Sequence, residues 1–336
     1  MKVFKLLFIL VALFFATNNF ASDFEELKKK AEQGDARSQL RLGITYMQGK
    51  EVEENNDEAT KWIRLAAENG ELPAQYYYGA FLSSPLEGFK WISKAAEGGY
   101  VDAQLLLGDL YKEEDSEYVE KDIDKSLFWL TKVSEKNDYI SVGASFRLYL
   151  MYEYGDNVNK DKQLASEWLK NALNANEFDA KHIYEASEGR NDIDAFMYLM
   201  LAAEMGYSEA QNKLGKVYIY GKKYFNSLLT SKIVIPADGK KAIKWLKRAA
   251  KNGLADANYQ LGYIYLNGVF NLNKNKDYMY EIKPNRTRFI NYYKLAASKN
   301  HVKAQEELNR RNTFKSDPWS KYDMPTPNGG LITETN

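Results

Sequence analysis

The chain has 336 residues, 46 Lys and Arg balanced by 46 Asp and Glu, two His and no Cys. The missing cysteine excludes a disulfide-stapled fold, a thiol nucleophile, a cysteine zinc site and an iron–sulfur centre. His182 and His301 alone exclude a multi-histidine metal site. The length is about twice that of one compact domain, so two domains or one elongated array is expected. The even charge disfavours nucleic acid as the main partner.

Residues 1–21 read as a secretory signal peptide. Lys2 and Lys5 form a short basic start, Leu6 to Phe15 is an unbroken apolar run, and Ala21 is a small residue before Ser22. About ten apolar residues are too few to cross roughly 30 Å of hydrocarbon as a helix. No later apolar stretch reaches that length, so a soluble periplasmic or secreted mature chain is expected.

Along the remaining chain an internal period appears. Trp62, Trp91, Trp129, Trp168 and Trp245 recur at intervals of 29, 38, 39 and 77, with Tyr198 filling the gap. Alanine pairs follow: Ala66-Ala67, Ala95-Ala96, Ala202-Ala203 and Ala249-Ala250. Next comes Gly70, Gly99, Gly206, Gly253 or Asn300, then a small residue such as Ala74, Ala103, Ala210 or Ala257, then Gly79, Gly108, Gly215 or Gly262. A tyrosine usually stands three places beyond that glycine position, as Tyr46, Tyr111, Tyr152, Tyr218 and Tyr265 do.

Each period reads as a helical hairpin. Trp62, Leu65, Ala66 and Asn69 share one face at helical spacing. Gly70 and its equivalents are expected to end the first helix with positive φ. The glycine inside the second helix costs about 1 kcal/mol of propensity against Ala, so its recurrence implies close approach of a neighbouring helix. First helices are expected near 23–33, 57–69, 86–98, 122–136, 160–175, 192–205, 238–252 and 285–299. Second helices are expected near 35–48, 71–83, 100–113, 139–153, 177–187, 207–220, 254–267 and 301–312.

The segments KWIRLAAENGELPAQYYYG, LAAEMGYSEAQNKLGKVYIYG and KWLKRAAKNGLADANYQLGYIYLNG resemble the Sel-one-like repeat, a branch of the tetratricopeptide class. The resemblance covers roughly 23–312. It implies an all-α fold, a right-handed α/α solenoid of about eight hairpins over 22–312, followed by a capping segment and flexible tail at 313–336. It also implies an adaptor role. The copies at 120–155 and 160–187 are degenerate: Val133 and Leu173 break the alanine pairs and Tyr149 replaces the glycine. Insertions at 222–237 and 269–284 follow consecutive second helices, and are expected to leave one edge and meet.

No catalytic motif emerges. There is no GxSxG, SxxK or HExxH, and GKVYIYGKK lacks the spacing and the Ser or Thr of a phosphate loop. The acidic runs at 51–58 and 113–117 lack the pattern of a calcium loop. The reading is a non-enzymatic chain without cofactor or metal.

Charge is unevenly spread. Residues 22–168 hold 18 basic and 29 acidic residues, and 169–336 hold 26 and 17. Lys240, Lys244, Lys247 and Lys251 form one helical stripe opposite Ala242, Trp245, Leu246 and Ala249, which suits an acidic partner. Three places after the small residue lies a slot of varying polarity, holding Arg41, Tyr77, Leu106, Arg147, Lys213, Gln260 and Glu307. Free variation implies exposure along one groove. Tyr77, Leu106, Arg147 and Lys213, with the four lysines, are therefore the candidate partner-binding residues. The functional expectation is an exported scaffold binding another protein, in envelope assembly, host interaction or toxin neutralisation as an immunity protein. The alternative is a peptidoglycan-binding or hydrolytic envelope enzyme with its site in the groove.

Overall fold

The computed structural model describes residues 23–49, 52–113, 119–136, 139–174, 179–190, 192–225, 232–272 and 278–313. The expected signal peptide and most of the expected tail lie outside them. The chain forms two compact units, Met1–Glu177 and Phe178–Asn336.

The first unit contains α1 (23–32), α2 (Ala36–Gln48), α3 (Asn56–Glu68), α4 (Leu72–Tyr77), α5 (Pro85–Glu97), α6 (Val101–Lys112), α7 (Ile123–Ser134), α8 (Tyr139–Tyr154) and α9 (Lys162–Asn174). The second contains α10 (Ala180–Ala186), α11 (Ile193–Glu204), α12 (Ser208–Tyr220), α13 (Gly239–Lys251), α14 (Ala255–Asn267), α15 (Arg286–Ala297) and α16 (Val302–Thr313). The expected helices appear in register, as a stack of hairpins. Gly70, Gly99, Gly206, Gly253 and Asn300 have positive φ where first helices end.

Two devices recur where one hairpin meets the next. The first is the glycine inside the second helix. A Cβ on Gly108 would lie 2.7 Å from Leu130 of α7, and one on Gly215 2.6 Å from Leu246 of α13. Each glycine therefore admits a side chain of the following first helix against bare backbone. The second device is a backbone clamp. The N–H of Asn55, Asp122, Asp161, Asp238 and Asn285 donates to the carbonyl of Tyr46, Tyr111, Tyr152, Tyr218 and Tyr265, respectively. These Asn and Asp residues also begin the following helices. Asn55, Asp122, Asp238 and Asn285, for example, accept from N–H groups of the first turn of α3, α7, α13 and α15.

That clamp explains how long insertions are tolerated. Tyr218 and Asp238, and Tyr265 and Asn285, meet as they would without an insertion. The extra residues loop out as β-hairpins: β1 (Lys222–Phe225) with β2 (Lys232–Ile235), and β3 (Val269–Leu272) with β4 (Tyr278–Ile282), both antiparallel. The two insertions do not pair with each other through strands among the described residues. They form separate two-stranded sheets. β1 lies against α11 and β3–β4 against α13, so each returns to the first helix of its own hairpin.

A further device was not anticipated. Gln39, Gln75, Gln104, Gln211 and Gln305 each follow a small residue on a second helix. Their side-chain amides donate to the carbonyls of Ala31, Ala67, Ala96, Ala203 and Ala297, at 2.9–3.1 Å. These carbonyls belong to the last turns of first helices, where intrahelical donors run out.

The alanine pairs are buried, apart from Ala250 and Ala297, which are half-buried. Trp62 and Trp245 are buried, but Trp91, Trp129 and Trp168 are only half-buried. At Trp91 and Trp129 the outer face is covered by Lys94 and Lys132, 5.1 and 4.8 Å from the ring centres, which leaves them less enclosed than a core position. In the degenerate region α8 is buried without a break from Ser141 to Met151, enclosed by α6, α7 and α9.

Candidate functional site

The variable slot does not line one open groove. On α8, Arg147 reaches α6, where its Nε donates to both Asp109 carboxylate oxygens at 3.0 and 2.9 Å and Nη1 donates to the Gly143 carbonyl. Both side chains are buried. Leu106 on α6 is buried as well. Lys213 on α12 pairs with Glu188 at 2.6 Å and lies over the Tyr184 ring. The slot thus faces the neighbouring second helix, and Leu106 and Arg147 are corrected from exposed recognition residues to packing residues. Sequence variation there reflects matched partners across the seam, a long-range relation that spacing does not display.

Tyr77 is different, and the reason is local. The interval from Trp62 to Trp91 is the shortest in the chain. Only Ser83 and Ser84 separate the end of this second helix from α5. The backbones meet at two glycines, where a Cβ on Gly79 would lie 2.7 Å from the Gly88 carbonyl. Six residues into the helix, α4 widens to a π-helical turn, Tyr78–Leu82. Such a turn adds a residue per circuit and re-aims the side chains beyond it, often at functional positions.

The outcome is an aromatic face. Tyr77 is 39% and Phe81 55% exposed. Their rings stack with centres 6.2 Å apart. Tyr76 touches Tyr77 at 5.6 Å, Phe81 at 6.3 Å and Tyr100 at 5.4 Å. Tyr100 joins this face to a shallow cleft of about 500 Å³, whose wall includes Arg37, Glu71, Pro73, Asp102 and Ile140. Burial, and then the Asp102 charge, push the Tyr76 phenol up to about 12. Burial, and then the charge of the same carboxylate, raise Tyr100 as well. All three tyrosines of this face are in the triplet YYY and the turn that follows α5; the triplet was the available signal, but only Tyr77 was marked by the slot.

In the second unit, Lys240, Lys244, Lys247 and Lys251 are exposed on α13, opposite buried Ala242, Trp245, Leu246 and Ala249. The stripe therefore exists as a solvated face. Beside it Arg248 pairs with Glu204 at 2.8 Å and covers Trp245. Neither histidine builds a site. His182 is exposed beside the Asp179 carboxylate that caps α10. His301 stacks on Tyr259 at 4.5 Å and meets Asp256 at 3.3 Å. Among the described residues, no group of His, Asp and Glu is arranged to hold a metal ion, and no helix is long and apolar enough to cross a membrane.

The Sel1 repeat model matches residues 36–71, 74–100, 101–138, 143–177, 183–207, 208–254, 255–278 and 280–301. The chain belongs to the Sel1 repeat family. Several matched units run from a second helix into the following first helix, the pairing that the glycines and backbone clamps secure. Sel1 repeats mediate protein–protein interaction. A segment of 44 residues is 46% identical to the secretory immunoglobulin A-binding protein EsiB of Escherichia coli. It represents 13% of this chain and 9% of EsiB, so the match spans under a tenth of that relative. Among solved structures, a Sel1 repeat protein from Oxalobacter formigenes is 27% identical, with TM-score 0.44, over 88% of this chain and 81% of its own. A protective antigen of uropathogenic Escherichia coli is 24% identical, with TM-score 0.33, over 85% and 66%. An immunity protein from Pseudomonas aeruginosa is 21% identical, with TM-score 0.29, over 66% and 73%.

Proposed function

We propose that this chain is an exported, non-catalytic scaffold that binds another protein through the aromatic face of its first unit. The carrying observation is the exposure of Tyr77 and Phe81, stacked on each other, on a helix whose repeat-pattern positions are used in packing. Large aromatic side chains give contact area at little conformational cost and dominate interface energetics. The lysine stripe of α13 is a second contact, suited to an acidic region of the partner and to steering its approach. The short match to an immunoglobulin-binding protein supports a partner outside the cytoplasm. Residues 1–21 supply the export signal in this reading, and the mature chain begins at Ser22.

The test is capture from envelope extract and from cell-wall fragments, using wild-type protein and Tyr77→Ala/Phe81→Ala. Retention of a defined protein by wild type and its loss in the double variant support the reading. Retention on cell-wall fragments, unaffected by the double variant, would favour the envelope-enzyme alternative. Intact-mass measurement of the native protein checks the new terminus.

A further inference from the structure

We propose that the aromatic face takes a lysine- or arginine-bearing segment of its partner, with the cation over the Tyr77 and Phe81 rings and within reach of Asp102. This rests on the reading of the face as the partner surface and adds the chemistry of what it accepts.

The first support is a contrast within the same unit. Five other rings of the unit already carry a cation. Lys61 lies over Trp62, Lys94 over Trp91, Lys125 over Tyr111, and Lys132 over both Phe128 and Trp129, all at 4.8–5.6 Å. Phe128, at 58% exposure, is as open as Phe81 and has its lysine. No described cation of the chain lies over Tyr76, Tyr77, Phe81 or Tyr100. A ring face is a region of negative potential that attracts a cation within about 6 Å. This one is left open to a cation from elsewhere.

The second support is charge. Glu71 and Asp102 stand on the wall of the adjoining cleft, and neither makes an ion pair with a described residue. Asp102 lines the same cleft wall as Tyr100, and its charge raises both Tyr76 and Tyr100. Residues 22–177 hold 19 basic and 30 acidic residues, so the surrounding field has the same sign. Arg37, also on the cleft wall, opposes a cation and offers a way to test the sign.

The experiment uses the mature chain and a labelled Arg-Gly repeat peptide, with Gln-Gly and Glu-Gly repeats as controls, read by fluorescence anisotropy. The Arg-Gly peptide is expected to bind about tenfold or more tighter than either control. Tyr77→Ala/Phe81→Ala should weaken it about tenfold and Asp102→Asn severalfold, while Tyr77→Phe retains binding because the ring remains. Arg37→Glu should tighten it, a gain that misfolding does not produce. Unchanged Arg-Gly affinity in the double variant would overturn the proposal, leaving only diffuse acidity. Equal binding of the Gln-Gly peptide would also overturn it, marking the face as merely apolar. If the double variant loses the native partner while Arg-Gly never binds, the face remains the partner surface and the cationic chemistry is wrong. If the native partner is retained by the double variant, the function proposed above fails first.

Discussion

The two units build on one repeat and treat its connections in opposite ways. In the first, a connection is shortened to Ser83 and Ser84; the preceding helix widens into a π turn and Tyr77 and Phe81 are left outside. In the second, two connections are lengthened into β-hairpins that return over the first helix of their own hairpin. Tyr224 of β1 packs on Phe196 of α11 at 4.9 Å, and both are buried. That burial raises the Tyr224 phenol. A deletion therefore exposes aromatic surface and an insertion covers it, on the same scaffold. The charge differs too: 19 basic and 30 acidic residues over 22–177, against 25 and 16 over 178–336. The packing residues repeat while the connections and outer positions diverge. Individuality thus resides where the repeat does not need to be kept.

The largest effect that probes this division is Trp245→Ala. The side chain is 4% exposed, so its loss should cost about 3–5 kcal/mol. In a repeat array stability is carried by each unit and its neighbours. Hydrogen exchange should therefore accelerate in α12–α14 and stay slow in α2–α6. Uniform acceleration would show the two regions to be one cooperative block. Trp129→Ala should cost less, because Trp129 is half-buried.

A comparable loss is expected at the buried ion pair of the first unit. Asp109→Ala leaves the Arg147 guanidinium buried without its carboxylate, at a cost of about 3–5 kcal/mol. Asp109→Leu/Arg147→Met removes both charges and should recover most of that loss in a denaturant titration. Failure to recover would mean that Arg147 holds α8 to α6 through shape more than through charge.

That pair also marks where the sequence stops being readable. The helices follow from Trp, Ala-Ala and Gly spacing because these residues report contacts made at a fixed distance along the chain. The variable slot reports a contact with another second helix, and Arg147 finds Asp109 across 38 positions. No local pattern encodes that. Gln104 was legible in principle, since a glutamine follows the small residue in five hairpins, but its role appears only with the Ala96 carbonyl in place. The aromatic face was half legible. Tyr77 was marked by its slot, whereas Phe81 needed the π turn to bring it outside.

In the second unit the ionisable seam gives a pH dependence. Burial pushes the Asp256 carboxyl up, but Lys216 and Asn212, each 2.6 Å away, and His301 outweigh it and hold the group at about 2 against an ordinary 3.8. A depressed carboxyl contributes stability above the ordinary value and loses it as pH falls toward the folded one. Unfolding midpoints of the wild type should therefore decline between pH 3.8 and about 2. Asp256→Asn should be less stable at neutral pH and flatter across that window. An equally steep decline in the variant would assign the acid sensitivity to other carboxylates.

The smallest effect is a gain. The indole N–H of Trp62 donates to Glu58 at 3.0 Å and that of Trp91 to Glu87 at 3.4 Å, in each case one helical turn earlier. Trp168 stands in the same place on α9, where the corresponding residue is Leu164, and its buried Nε1 has no partner among the described residues. An unmade hydrogen bond on a buried donor is destabilising, and restoring it contributes about 0.5–1.5 kcal/mol. Leu164→Glu should place a carboxylate where Glu58 and Glu87 stand. The glutamate would also lie in the first turn of α9, where negative charge is favoured by the helix dipole. Against both effects stands the apolar packing of the half-buried leucine, which the substitution removes. Leu164→Gln separates the contributions, since it can accept the hydrogen bond without the charge. A raised unfolding midpoint in both variants assigns the gain to the indole. A rise with glutamate alone assigns it to the dipole. A fall in both shows that the leucine's packing outweighs the orphaned donor, and that this degenerate hairpin has settled on a different compromise from its neighbours.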